Sequence, residues 1–357
     1  MDFILFCIFS QDETGDAVLK RCIFMAYLGL FITFALSFLG AKPEEAGPTT
    51  TSSPLPAAQT SPKAHKAPAA SPAAILPAAA NPAPERIMVQ RGEEIIEMEL
   101  EEYVLGVLAA EMPAEFEPEA LKAQAVAARS YTLYCKAGCK HGQAMVCCDF
   151  ACCQAWRSTE EMQALWGEGF DFYYEKLSRA VEETQGQHLL YDEQPVFAAF
   201  HSSSAGYTES CGAIWSELPY LVSVESPENE SHVPGYVTYL ELSPLDFRDS
   251  LLHKRPEADF STGAESWIGE IGYEDSGRIS YVVIGGIPYS GTELRSLFSL
   301  RSTSFSLEYT GESFLFTVQG FGHGVGMSQY GANVMAQEGA DYAAILAHYY
   351  PGTELLR

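Results

Sequence analysis

The sequence predicts an α+β protein, a helical hairpin and C-terminal helices packed around antiparallel strands, behind an N-terminal transmembrane helix. Three observations predict it. Apolar side chains recur at helical spacing near residue 100 and again after Met327. Strand-like runs bounded by turn residues lie between them. An uncharged apolar run and a Pro/Ala-rich stretch precede both.

Of 357 residues, 47% are hydrophobic, enough for one large core or two modest ones. The 47 acidic and 21 basic residues leave a formal charge of −26. A grip on phosphate backbones needs clustered Lys and Arg, so nucleic acid is set aside as a partner.

Residues 1–21 read as a short cytoplasmic segment and 22–39 (CIFMAYLGLFITFALSFL) as a single-pass anchor. Lys20 and Arg21 precede the run and few basic residues follow it, which puts the N-terminus in the cytoplasm. A cleaved signal peptide and a buried core helix are the alternatives, and no small-x-small cleavage site follows. Residues 40–85 are rich in Pro, Ala, Ser and Thr and read as a disordered linker. They tether an exported domain, residues 86–357.

That domain opens with a predicted helix over 98–112, whose apolar stripe runs through Leu100, Val104, Val107 and Leu108. Continued, the stripe reaches Glu111. Pro113 ends the helix there, and a second helix starts near Pro118. Glu111 thus sits at the corner of a hairpin. A carboxyl on the apolar side of a helix C-terminus has two reasons to keep its proton, desolvation and the helix dipole. That is what a general acid at neutral pH requires. Periodicity alone equally allows a wet corner, with Glu111 one more surface acid beside Glu115, Glu117 and Glu119.

Strand-like stretches follow in residues 187–206, 278–287, 305–311 and 313–320, with turn signals at Asp275-Ser276-Gly277 and Thr310-Gly311-Glu312. Helix returns from Met327 onward. Nine cysteines are present, six of them in CKAGCKHGQAMVCCDFACC, residues 135–153. Outside the cell such density signals disulfides. His141 with some of the cysteines equally suits tetrahedral zinc. Spacing does not separate the two.

Three blocks resemble one family: VLGVLAAEMPAEFEPEALKAQAVAARSYTL, FHSSSAGYTESCGAIWSELPYLVSVESP and GFGHGVGMSQYGANVMAQEGADYAAILAHYYPGTEL. Their order and length are those of the stage II sporulation protein D family, membrane-anchored lytic transglycosylases that cut peptidoglycan glycan strands during engulfment. The resemblance implies that Glu111 is the catalytic acid and that Arg129 lies in the substrate cleft, orienting Glu111 or the sugar. It implies a structural zinc held by His141, Cys147, Cys152 and Cys153, a zinc-stapled loop in which Cys152 replaces the family's second histidine. Cys135, Cys139 and Cys148 are extra. His201, Ser203, His323, Gln329 and Tyr330 become candidate sugar contacts. The expected product is a 1,6-anhydro-muramyl end, made preferably from peptide-free glycan strands in the septal space. The expected partners are a sporulation amidase or endopeptidase and a membrane partner of the engulfment complex.

The resemblance also carries rivals. Related proteins are described as amidase enhancers, so a non-catalytic cell-wall-binding partner is the alternative. A zinc hydrolase needs an open coordination position, which four protein ligands exclude. A module that only anchors septal machinery to the wall is the third.

Overall fold

The computed structural model describes residues 85–137 and 141–356. The predicted anchor at 22–39, nearly all of the linker and Cys139 lie outside the described residues. No helix among the described residues is long and apolar enough to cross a membrane.

Two strands, β1 (Arg86–Arg91) and β2 (Glu94–Glu99), pair antiparallel around a two-residue turn in which Gly92 takes a φ of 63°. That left-handed conformation suits glycine, and two-residue turns of this kind match the twist of the flanking strands. The predicted helix therefore starts later than expected. α1 spans Leu100–Glu111 because Met98 and Glu99 belong to the strand. It stops where predicted: Met112 is extended, as a residue before proline prefers, and its amide still reaches Leu108 O.

Next, α2 (Pro118–Ala137) packs on two cores at once. Leu121, Ala125 and Ala128 belong to a core with α1, while Ala120, Ala123, Val126 and Ala127 belong to a second. A helix buried on opposite faces must be narrow, which its alanines provide. Ser130 and Thr132 satisfy their hydroxyls on Val126 O and Ala128 O, one turn back.

The first core is closed by β3 (Val146–Cys147), which runs parallel to β1, and by α3 (Thr159–Trp166) and α4 (Phe170–Glu183). Neither helix was anticipated, although Ser158 and Glu161 form a capping box ahead of α3. The second core gathers β4 (His188–Tyr191), β5 (Gln194–Pro195) and β6 (Phe200–His201). A third is built by residues 237–318 with their own Phe/Trp stack, Phe247 against Phe314 at 3.9 Å. Its sheets are β7 (Val237–Leu242) with β11 (Phe305–Tyr309) and β12 (Phe314–Gln319), and β8 (Ile268–Tyr273) with β9 (Ile279–Ile284) and β10 (Ile287–Ser290). Helices α5 (Pro244–Lys254) and α6 (Gly291–Leu297) accompany them.

The chain then returns to the second core through β13 (Met327–Ser328), α7 (Gln329–Gln337) and α8 (Tyr342–Tyr349). Strand β14 (Glu354–Leu356) finally pairs with β4. The α+β class holds, but besides the parallel pairing of β3 with β1 a second pair departs from the expected antiparallel strands. β13 pairs with β6 in parallel, Met327 opposite Phe200 and Ser328 opposite His201. This pairing joins two sequence blocks that lie more than a hundred residues apart.

Candidate functional site: a buried carboxyl beside a histidine-cysteine cluster

Glu111 ends α1 with its carboxyl packed inward, and Ala155 N–H donates to its Oε1 at 2.6 Å. Burial raises the carboxyl to about 6, and the Ala155 hydrogen bond, the smaller effect, pulls the other way. No neighbouring charge contributes to the shift. Glu111 and Glu119 are half-buried while Glu115 and Glu117 are exposed, so the wet-corner alternative describes Glu115 and Glu117 better than it describes Glu111. The segment holding that amide is itself pinned. Arg157 N–H reaches Gly106 O at 3.1 Å, and the Trp156 indole fills the space that a Cβ on Gly106 would need. A larger residue at 106 would lift the segment from α1.

Just before Ala155 come the cysteines. His141 Nε2 lies 3.4 Å from Cys153 Sγ and 3.5 Å from Cys152 Sγ. With Cys147, one ligand atom from each of four residues lies within 4.8 Å of every other. A tetrahedral ion with ordinary bonds to nitrogen and sulfur sets neighbouring ligand atoms about 3.6 Å apart. The donor set and spacing therefore fit a metal ion. Burial pushes the Cys147 thiol up to about 12 in the ion's absence, and a dication among the sulfurs opposes that shift. Cys148 faces the apolar core instead, with burial raising its thiol to about 11.

Arg129 departs from its expected place. It is fully buried, donating from Nε and Nη2 to the two carboxylate oxygens of Glu101 at 2.9 and 2.6 Å, and from Nη1 to Gln187 O at 2.8 Å. This fork-to-fork pair orients α2 against α1 rather than Glu111 or a sugar. Sequence reasoning missed Glu101 because it reads as an ordinary first-turn acid of a helix.

The parallel pairing of β6 with β13 turns His201 inward. Its Nδ1 faces Val325 O at 3.2 Å and its Nε2 faces the Ser204 hydroxyl at 2.7 Å, so Nδ1 carries the proton and Nε2 accepts. Burial, with His323 and Arg278 nearby, holds His201 well below the ordinary histidine range. Ser203 is bridged through its backbone to Phe321, and its buried hydroxyl has no partner among the described residues. Gln329 Nε2 donates to Gln124 Oε1 at 3.4 Å and is buried. Three of the five C-terminal candidates are thus internal. His323 and Tyr330 keep partial exposure. His323 accepts from Val325 N–H and is lowered to about 4 by burial and by Arg295 and Arg278. Tyr330 packs edge-on to Phe116, beside the Glu111 corner.

One organiser was invisible in the sequence. The buried Glu228 accepts from Ser204 N–H and Ser328 Oγ on one oxygen and from Ser226 Oγ on the other. It ties the HSSS segment to the loop before α7, and an acid flanked by Pro227 and Asn229 gives no hint of burial.

The family model described as stage II sporulation protein matches residues 90–191, which contain Glu111, Arg129 and the four clustered ligands. Stage II sporulation protein D of Bacillus subtilis is 39% identical over 261 residues, covering 72% of this chain and 74% of the relative. The chain belongs to the stage II sporulation protein D family. The Bacillus amyloliquefaciens protein of the same name is 37% identical over 72% of this chain and 74% of its own length. An amidase enhancer of Bacillus subtilis is 28% identical over 70% of this chain and 40% of its own length. Membership extends past the matched model, since the first two alignments cover more of the chain than residues 90–191 and so take in further sequence outside that block.

Proposed function

We propose that this chain is a lytic transglycosylase of sporulation cell-wall remodelling, cleaving peptide-free peptidoglycan glycan strands with Glu111 as its single acid and base. The observation that carries the reading is the carboxyl raised to about 6 by burial, with no second carboxylate among the causes of its shift. Ordinary glycosidases need a second carboxylate as nucleophile or base. Here the substrate supplies the nucleophile. Protonated Glu111 gives its proton to the glycosidic oxygen as the bond to the anomeric carbon breaks. The sugar's own primary hydroxyl attacks that carbon, and its proton passes to the Glu111 carboxylate. A 1,6-anhydro-muramyl end results.

The metal in this reading is a structural zinc held by His141, Cys147, Cys152 and Cys153. Four protein ligands close its shell and leave no position for a hydrolytic water. What the zinc supplies is rigidity to the loop that delivers Ala155 N–H to Glu111. The domain would act from the outer side of the cell membrane, in the septal space, alongside an amidase or endopeptidase and a membrane partner of engulfment. The net charge of −26 argues for glycan already stripped of acidic peptides.

The test is mass spectrometry of products from peptide-free glycan strands incubated with the full-length chain, wild type beside Glu111→Gln. Anhydro-muramyl products that vanish in the variant support the reading. Intact strands with both proteins, given metal-loaded folded protein, sink it. The amidase-enhancer relative supports a second reading, in which the chain binds wall and stimulates an amidase without cutting. Stimulation retained by Glu111→Gln, with no cleavage by wild type, favours that one.

A further inference from the structure

Arg278, immediately before β9, is a buried charge that the proposed reaction does not use. Its exposure is 1%, and its Nε, Nη1 and Nη2 have no hydrogen-bond partner among the described residues. Burial lowers it only to about 10, so it is charged at pH 7. A guanidinium presents five N–H donors and is costly to bury unless acceptors and a counter-charge meet it. The two acids that act on it, Glu209 and Glu228, are engaged elsewhere. Glu209 accepts from Ser210 N–H and Ser276 Oγ, and burial raises its carboxyl. Glu228 serves the three serines described above. Arg295, half-buried, adds a second positive charge to the same place. His201 and His323 both register that field: burial first, and then Arg278 among their neighbours, holds each below the ordinary histidine range.

The group rests on the glycine-rich turn. A Cβ built on Gly324 would lie 2.5 Å from Arg278 Cζ and 2.7 Å from Nε and Nη2, so this side of the guanidinium lies against the turn. Gly324 is itself buried, and its N–H donates to no acceptor among the described residues. We infer that Arg278 and the turn at Gly324 enclose a small monovalent anion, a halide or a planar oxyanion, where the third core meets the segment returning to the second. A guanidinium edge and a backbone N–H are the donors such an ion takes. Burial sets its size. A carboxylate still attached to a polymer stays outside a group exposed to 1%, whereas a free ion is trapped as the chain folds. Water would satisfy the donors and leave the charge uncompensated. The site stands apart from the transglycosylase reading.

The experiment follows thermal unfolding of full-length, metal-loaded protein while chloride, bromide or nitrate replaces gluconate, a larger anion, at constant ionic strength. Arg278→Met is compared with wild type, and Arg248→Met, a surface arginine paired with Asp249 on α5, is the control. We expect a saturable rise in unfolding temperature of roughly 5 °C in wild type and Arg248→Met, and none in Arg278→Met. The absence of an anion-specific rise in wild type overturns the site, and so does an equal rise in Arg278→Met. Because Arg278→Met removes a large buried side chain and can fail to fold, a second measurement uses wild type alone: anomalous diffraction from crystals grown in bromide. A peak at the guanidinium supports the site. Peaks confined to the surface, an adventitious ion only, or no peak at all overturn it. Glycan cleavage is scored separately with Glu111→Gln, so either reading can fail without the other.

Discussion

Ala155 N–H and Glu111 Oε1 are joined by a 2.6 Å hydrogen bond that links the hairpin corner to the end of the cysteine-rich loop. Ala155 follows two residues after Cys153. Whatever rigidifies that loop therefore sets the position of the acid.

Cys153→Ser and His141→Ala should each lower bound zinc, measured by elemental analysis, from one ion per chain towards none. Cleavage should fall at least ten-fold with it, because Ala155 N–H loses its fixed position. Retained metal in both variants, or Cys147, Cys152 and Cys153 found in disulfides by mass spectrometry, removes the zinc assignment.

Glu111 titrates near 6 against an ordinary 4.5. The folded state therefore binds more protons than the unfolded chain between those values, and stability falls as pH rises through them. Glu111→Gln should stabilise the protein by roughly 1–2 kcal/mol at pH 7 and by little below pH 4.5, read by chemical denaturation. Cleavage by wild type, needing the protonated acid, should decline as pH rises above about 6. A flat pH profile through 5–8 contradicts the acid role.

Removing Glu101 leaves the buried Arg129 guanidinium with Gln187 O as its one remaining partner among the described residues. Glu101→Ala should destabilise by about 3 kcal/mol, an uncompensated buried charge partly relieved because Glu101 itself is a quarter exposed. Denaturant midpoints decide. A loss below 0.5 kcal/mol would mean that the pair orients nothing.

Glu228→Gln should cost about 2 kcal/mol, since three donors lose a charged acceptor and one meets an amide hydrogen instead. Hydrogen exchange of the amides near Ser204 and Ser328 should rise together, and protection unchanged at both would contradict the bracing role.

Gly324 has a φ of 88°, and a Cβ there would lie 2.5 Å from Cζ of the buried Arg278. Gly324→Ala should therefore destabilise by roughly 2 kcal/mol, through strain and displacement of that guanidinium. Thermal unfolding within a degree of wild type would contradict it.

Much of the first core was legible. The stripe from Leu100 to Leu108, the proline after Met112 and the alanines of α2 are local signals, and each names its own neighbour on the helix surface. The strands of the third core were partly legible, but β7, β8, α5 and α6 were not. In β8 the exposure pattern carries no clean alternation, because a register shift interrupts its pairing with β9. The capping box before α3 is a local signal, legible in Ser158 and Glu161.

By itself the sequence determined the hairpin with Glu111 at its corner and the family, because these rest on local helix signals and on long matched blocks, and the resemblance alone singled out His141, Cys147, Cys152 and Cys153. Only the tertiary structure decided that Arg129 spends its charge on Glu101, that His201 and Ser203 face inward, and that Glu228 ties two distant loops together. The physical reason is pairing at long range. A parallel bridge between residues 200–201 and 327–328, and a guanidinium reaching 28 positions back along the chain, depend on partners that no local period encodes.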